Sequence, residues 1–263
     1  DMQLICEAYD IMKSLGLTQG EMAEQFDKWN KEELDSFLIE ITRDILKYKD
    51  DNGFLLERIN DSAGQKGTGK WTAIAALQYG VPVTLIGEAV FARCLSSLKS
   101  ERVNASRQLK GPDVKAKVDD LPKFLNHIKH ALYCAKIISY AQGFMLLREA
   151  AGVNHWNLNY GGIALMWRGG CIIRSVFLGN IKDAFTRNPQ LFNLLIDDFF
   201  KKEIQNGQNS WRQVVSNSFL WGIPVPALST ALSFYDAYRT EKLPANLLQA
   251  QRDFFGAHTY ELV

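Results

Sequence analysis

The stretch Tyr79-Gly80-Val81-Pro82-Val83 (YGVPV) decides how this sequence is read, because it returns as Trp221-Gly222-Ile223-Pro224-Val225 (WGIPV). In each copy an aromatic residue ends an apolar pattern, glycine supplies a helix stop, and proline opens the helix that follows. Working outward, Lys70 to Gln78 (KWTAIAALQ) reads as the helix closed by the first copy, and Thr84 to about Arg102 as the helix it opens. At the same offset of 142 residues, Met2–Ala8 (MQLICEA) falls on Phe144–Ala150 (FMLLREA), Glu7 falls on Glu149, and Ala89 falls on Ala231. Two anchors more than seventy residues apart in one register predict a duplicated helical unit.

The remaining periodicity is also helical. Helices are expected over 1–16 with a stop at Gly16, then over 19–29 and 31–48, where Leu34, Phe37, Leu38, Ile41, Ile45 and Leu46 recur at three- and four-residue steps. After a turn at 49–53, further helices are expected over about 122–150, 160–187, 190–205, 210–220, 227–239 and 244–255. Residues 103–121 read as a polar surface excursion, and no run of alternating strands is found. The fold class is all-α. The chain reads as one large helical domain of two similar halves, about 1–121 and 122–240, with a C-terminal helix and tail over 241–263.

Composition narrows the function. Thirty Lys and Arg nearly balance 29 Asp and Glu, so no basic field points to nucleic acid or to an acidic membrane surface. No apolar run is long enough to span a membrane and no signal peptide is seen. Cys6, Cys94, Cys134 and Cys171 are scattered without metal-ligand spacing and read as buried, reduced thiols of a cytoplasmic protein. Asp1 lies inside a helical pattern and the chain stops abruptly at Leu262-Val263, so a longer protein is expected.

Four glycines lie within Asn159–Ser175 (NYGGIALMWRGGCIIRS), where each would weaken a helix by roughly 1 kcal/mol. Close approach of another backbone is the expected reason, and Arg168 and Arg174 would then need partners. His127, His130 and His155 lie at positions with no convergent ligand set and read as structural.

Gly64–Trp71 (GQKGTGKW) has the outline of a phosphate-binding P-loop, but Trp71 stands where a Mg²⁺-binding hydroxyl belongs. Charged and polar residues precede it where a buried strand should be. A flexible loop with two lysines and a threonine still suits a phosphate, and a solvated turn capping the next helix is the plainer alternative.

The stretches Asp61–Thr72 (DSAGQKGTGKWT), Leu85–Arg93 (LIGEAVFAR), Tyr160–Arg174 and Gln251–Thr259 (QRDFFGAHT) closely resemble the 6-phosphogluconate dehydrogenase family, specifically its C-terminal, all-helical domain. The resemblance covers nearly the whole chain. It implies NADP-dependent oxidation of 6-phosphogluconate at C3, loss of CO₂ and formation of ribulose 5-phosphate, without a metal. Lys66, Thr68 and Arg93 match family positions that hold the substrate phosphate. Arg252 and His258 match residues that one subunit of a homodimer contributes to its partner's site through an exchanged tail. The catalytic Lys and Glu, and the Gly-rich NADP domain, are expected upstream of Asp1, so this chain alone is expected to be inactive. Lys70 receives no role. Two other readings stand beside this one: a helical dimerisation module without a ligand, and a Mg²⁺-dependent nucleotide binder.

Overall fold

The structure is a computed structural model that describes residues 1–262. Among these, twelve α-helices carry the fold, and the only strands are the two-residue pair Lys49–Asp50 and Gly53–Phe54. The expected all-α class is what is observed.

Helix α7 (Leu121–Val153) is the axis of the molecule. Asp120 caps it by accepting from Lys123 N–H, Pro122 occupies its first turn, and residues 131–138 are buried without interruption. A helix that is apolar on every face must be surrounded. Packed on it are α1 (Met2–Ser14), α10 (Asp198–Leu220) and α11 (Pro226–Tyr238); α8 (Tyr160–Met166) and α9 (Phe177–Arg187) reach it through Phe144 and Tyr133, and α2 (Gln19–Trp29) pairs with α3 (Phe37–Lys47) beside α1. Phe177 meets Tyr133, Tyr140 and Phe200 at ring-centroid distances of 6.1, 5.1 and 5.2 Å, joining three of these helices at the core. Helices α4 (Thr68–Tyr79), α5 (Thr84–Ser97), α6 (Lys99–Ser106) and α12 (Ala245–Gly256) are more peripheral; α4 buries only Ala76, α5 only Leu85 and α12 nothing.

The two turns that opened the sequence reading have the same geometry. Gly80 and Gly222 both adopt positive φ, at 68° and 71°. Val81 N–H donates to Ala76 O and Ile223 N–H to Ser218 O, both at 2.8 Å, which is the glycine-closed helix terminus in each case. The early anchor behaves differently. Gly16 closes α1 and His155 closes α7, both at positive φ, with Leu17 N–H on Met12 O and Trp156 N–H on Ala151 O. These positions correspond at 139 residues rather than 142, so pairing MQLICEA with FMLLREA is displaced by about one helical turn. Glu7 is buried while Glu149 is exposed, as the shifted register requires. Ser36 and Ser175, also 139 apart, pair antiparallel: Phe37 N–H donates to Arg174 O at 3.1 Å and Val176 N–H to Asp35 O at 3.2 Å.

Several helix limits differ from the sequence expectation, each for a tertiary reason. The expected break between 205 and 210 is absent: Gly207 sits inside α10 because a methyl there would collide with Cys134 Sγ of α7. The expected helix over 160–187 is two helices, parted where residues 174–176 bond to the 35–37 segment. The expected helix over 31–48 begins only at Phe37, after Ser36 caps it. Leu98 splits the helix expected over Thr84 to about Arg102 into α5 and α6, and α6 runs on to Ser106, into the expected polar excursion.

Of the four glycines expected to permit close packing, Gly161 faces the Lys182 backbone and Gly162 lies against its cap residue Asn159, whereas Gly169 and Gly170 face open space. Arg174 has partners, with Nη2 2.7 Å from Glu40 Oε2 and Nη1 3.9 Å from Asp35 Oδ1; Arg168 is exposed and needs none. The cysteines correct the expectation of buried thiols: all four are free, but only Cys134 is buried, because Cys6 and Cys94 lie on outward faces of α1 and α5.

Candidate phosphate site

Residues 59–67 form an irregular segment between the short 3₁₀ turn Leu56–Arg58 and α4. No strand feeds it, so the strand–loop–helix geometry of a nucleotide P-loop is missing. Gly67, at φ +116°, turns the chain into α4, a backbone conformation that side chains rarely allow. The Trp71 indole packs over this glycine, 3.3 Å from where a methyl would stand. That contact gives Trp71 a role: it braces the turn in place of holding a metal.

No side chain caps α4, so the first-turn N–H groups at Thr68 and Gly69 are unmet by protein and carry the positive end of the helix dipole. Lys66 and Thr68 flank that terminus and both are exposed. A methyl on Gly69 would lie 2.8 Å from Val90 Cγ2, so the start of α4 rests on α5 one turn from Arg93. Gln65 Nε2 lies 3.6 Å from Cys94 Sγ, beside Arg93 in sequence. These contacts set the loop of Lys66 and the start of α4 against the turn of α5 that bears Arg93. Neither Lys66 nor Arg93 forms an ion pair among the described residues; Arg93 Nη2 reaches only Met2 Sδ, at 3.7 Å. Cations and an open helix terminus without carboxylate partners are the chemistry that suits an anion.

Arg252 and His258 make no hydrogen bond or ion pair with this surface among the described residues. Arg252 bonds Gln249 at 3.2 Å, and the His258 ring packs on Phe255 and Gly256 of its own segment. The side-chain hydrogen bonds of α12 and the tail after it stay within that segment. His127 bonds Ser210 Oγ at 2.8 Å and His130 lies 3.4 Å from Asn126; burial lowers both pKa values, leaving neutral rings in structural contacts. His155 stays exposed at its positive-φ helix end.

Three residues to which the sequence assigned no role matter to the structure. Asp61 and Arg102 fasten the loop, although in sequence they look like ordinary surface charges. Glu7 is the third: its carboxyl group is buried between α1 and α11. The signal for it was its position within the apolar stripe of Leu4, Ala8 and Ile11.

The model of 6-phosphogluconate dehydrogenase, C-terminal domain, matches residues 1–263, the whole chain. The chain belongs to the 6-phosphogluconate dehydrogenase family. Decarboxylating 6-phosphogluconate dehydrogenases of Ceratitis capitata and Homo sapiens are 85% and 69% identical to it, over 263 and 265 aligned residues. The chain is covered completely in both, but spans 55% of each relative's length. The Plasmodium falciparum 6-phosphogluconate dehydrogenase, described in its apo form and in complex with NADP⁺ and with 6-phosphogluconate, superposes with a TM-score of 0.96. It is 44% identical, covering all of this chain and 57% of that one. Among the described residues no helix is long and apolar enough to cross a membrane, and no cluster of three metal-ligating side chains occurs.

Proposed function

We propose that this chain is the phosphate-binding and dimer-forming part of an NADP-dependent enzyme that oxidises and decarboxylates 6-phosphogluconate to ribulose 5-phosphate and CO₂, acting in the cytoplasm. The observation that carries this reading is the pairing of uncompensated Lys66 and Arg93 beside the open terminus of α4. These groups, with Thr68 as a hydroxyl donor, suit the dianionic phosphate end of a sugar acid, and the two cations supply charge that a nucleotide site takes from Mg²⁺. NADP would accept the hydride. Among the described residues no strand–glycine loop–helix unit is present to hold a dinucleotide, and the family resemblance assigns cofactor binding and the catalytic Lys and Glu to a part upstream of Asp1.

Exposed apolar surface supports a homodimer. Leu77 and Phe254 are 85% and 95% exposed, and Leu247, Leu248 and Phe255 of α12 are exposed as well. Patches of this kind mark interaction surfaces. Arg252 and His258 then serve the partner's site by tail exchange, which fits the local hydrogen bonding of their segment within one chain. The matched turns at Gly80 and Gly222 and the Ser36–Ser175 pairing support an origin by duplication, with the second half three residues longer between those markers.

The test is calorimetric titration of the full-length protein with 6-phosphogluconate and, separately, with Mg-ATP. Lys66→Ala and Arg93→Ala are each expected to weaken 6-phosphogluconate binding by about ten- to a hundredfold, since each removes a charge-assisted contact of roughly 1.5–3 kcal/mol. Unchanged binding in both variants would favour a dimerisation module without a ligand on this loop. Saturable Mg-ATP binding lost with Lys66→Ala would favour the nucleotide reading.

A further inference from the structure

Residues 61–66 are all exposed, so no apolar packing holds the loop that carries Lys66. What holds it is a polar clasp from the α5–α6 junction. Arg102 Nη2 donates to Asp61 O at 3.0 Å and to Ser96 O at 2.9 Å, and Arg102 Nη1 reaches Asp61 Oδ2 at 3.2 Å. Lys99 Nζ pairs with the other carboxylate oxygen of Asp61. Ser96 continues the chain of contacts: its Oγ accepts from Ala63 N–H at 3.0 Å and donates to Arg93 O at 2.7 Å. One guanidinium therefore ties the loop backbone to the turn of α5 that bears Arg93, using the planar fork that lysine lacks.

We propose that Arg102 is a positioning residue for the phosphate site, fixing the loop that carries Lys66 against the helix turn that carries Arg93 while touching no ligand itself. The proposal rests on the phosphate-site reading above. Arg102 makes two bonds to backbone carbonyls as well as the ion pair, so it differs from an isolated surface salt bridge, which contributes little. The junction explains the break at Leu98: the helix opens there, and the Ser96 carbonyl turns to Arg102. Without the clasp the loop samples many conformations, and ligand affinity falls by the fraction of time the bound pose is kept.

The test uses steady-state kinetics of the full-length protein with 6-phosphogluconate. If the freed loop keeps the pose about a tenth of the time, Arg102→Ala raises KM about tenfold, with kcat within roughly twofold of the parent. Arg102→Lys restores only part of the loss, because it keeps the charge but not the fork. Asp61→Asn keeps the backbone carbonyl bond, so its KM rises less, by roughly threefold; it also serves if Arg102→Ala does not fold. The decisive readout is the double variant Lys66→Ala/Arg102→Ala. If Arg102 acts through Lys66, the double variant binds little worse than Lys66→Ala alone. Losses that multiply, full rescue by lysine, or kcat falling together with thermal stability would overturn the proposal. A raised KM in Lys66→Ala with no change in Arg102→Ala or Asp61→Asn would overturn the clasp and leave the phosphate site standing. No change in Lys66→Ala would overturn both.

Discussion

Replacing Glu7 by glutamine tests how the two ends of this domain are joined. Helix α11 starts at Pro226 with no capping side chain of its own, and Glu7 of α1 supplies the cap from 220 residues away. Its Oε1 accepts from Ala227 N–H and its Oε2 from Leu228 N–H, both at 2.8 Å, while Gln3 Nε2 donates to Oε1 at 2.9 Å. Glu7 is only 2% exposed. Burial pushes its carboxyl up to about 7 from an ordinary 4.5; the bonds from Gln3, Leu228 and Ala227 pull the other way without cancelling it. The sign follows from proton counting. Between 4.5 and 7 the folded state keeps a proton that the unfolded chain has released. Glu7's contribution is therefore complete below 4.5 and is lost as pH rises through 7, a fall of about 3 kcal/mol across the window.

Glutamine never ionises, so Glu7→Gln removes that slope. It also costs stability, because an amide nitrogen cannot accept and one of the two α11 N–H groups is left unmet, at about 1–3 kcal/mol. A protonated carboxyl keeps an acceptor lone pair on each oxygen and avoids this loss. Urea denaturation of both proteins, followed by the fluorescence of the buried Trp29 and Trp211, should show the largest deficit at pH 5 and a shrinking one by pH 8. Subtracting one pH series from the other cancels every other titrating group. Parallel series with a constant difference would refute the buried proton, and equal stabilities at pH 5 would refute the cap.

Two further substitutions probe packing. Gly207→Ala gains helix propensity of roughly 1 kcal/mol but drives a methyl into Cys134 Sγ, so a net destabilisation of about 1–2 kcal/mol is expected by urea denaturation, and Cys134→Ala in that background should recover most of it. Gly80→Ala and Gly222→Ala both force a side chain into positive φ at roughly 1–2 kcal/mol, but Gly222→Ala should melt lower, because its methyl would also lie 2.7 Å from Pro112 Cδ while Gly80 faces open space.

Helix existence was legible throughout, since apolar spacing is local and strong in this chain. Helix limits were less so, because they answer to residues far away. Gly207 looked like a break and is instead the point where α10 and α7 touch. The segment after Met166 looked helical, but leaves the helix where Ser175 meets Ser36. The shared geometry of the YGVPV and WGIPV turns was legible, since positive φ favours glycine in both. The match of MQLICEA to FMLLREA did not keep that register, because any two amphipathic helices align about as well one turn apart.

The site divided along a similar line. Lys66, Thr68 and Arg93, the proposed phosphate ligands, were singled out by a family resemblance, but the hydrogen bonds that hold their loop were not legible, since Asp61, Lys99 and Arg102 are common surface residues whose meaning lies in which groups they reach. Arg252 and His258 present the opposite case. Their motif was legible, yet within one chain Arg252 lies on, and His258 just beyond, a twelve-residue helix that buries no side chain. A helix that short is marginal in water on propensity alone and is ordinarily held by packing of its apolar face. Leu247, Leu248, Phe254 and Phe255 supply that face, and all four are exposed among the described residues. The surface that would order α12 is then the same one that would receive Arg252 and His258, so in this reading dimer formation and completion of the phosphate site are a single event.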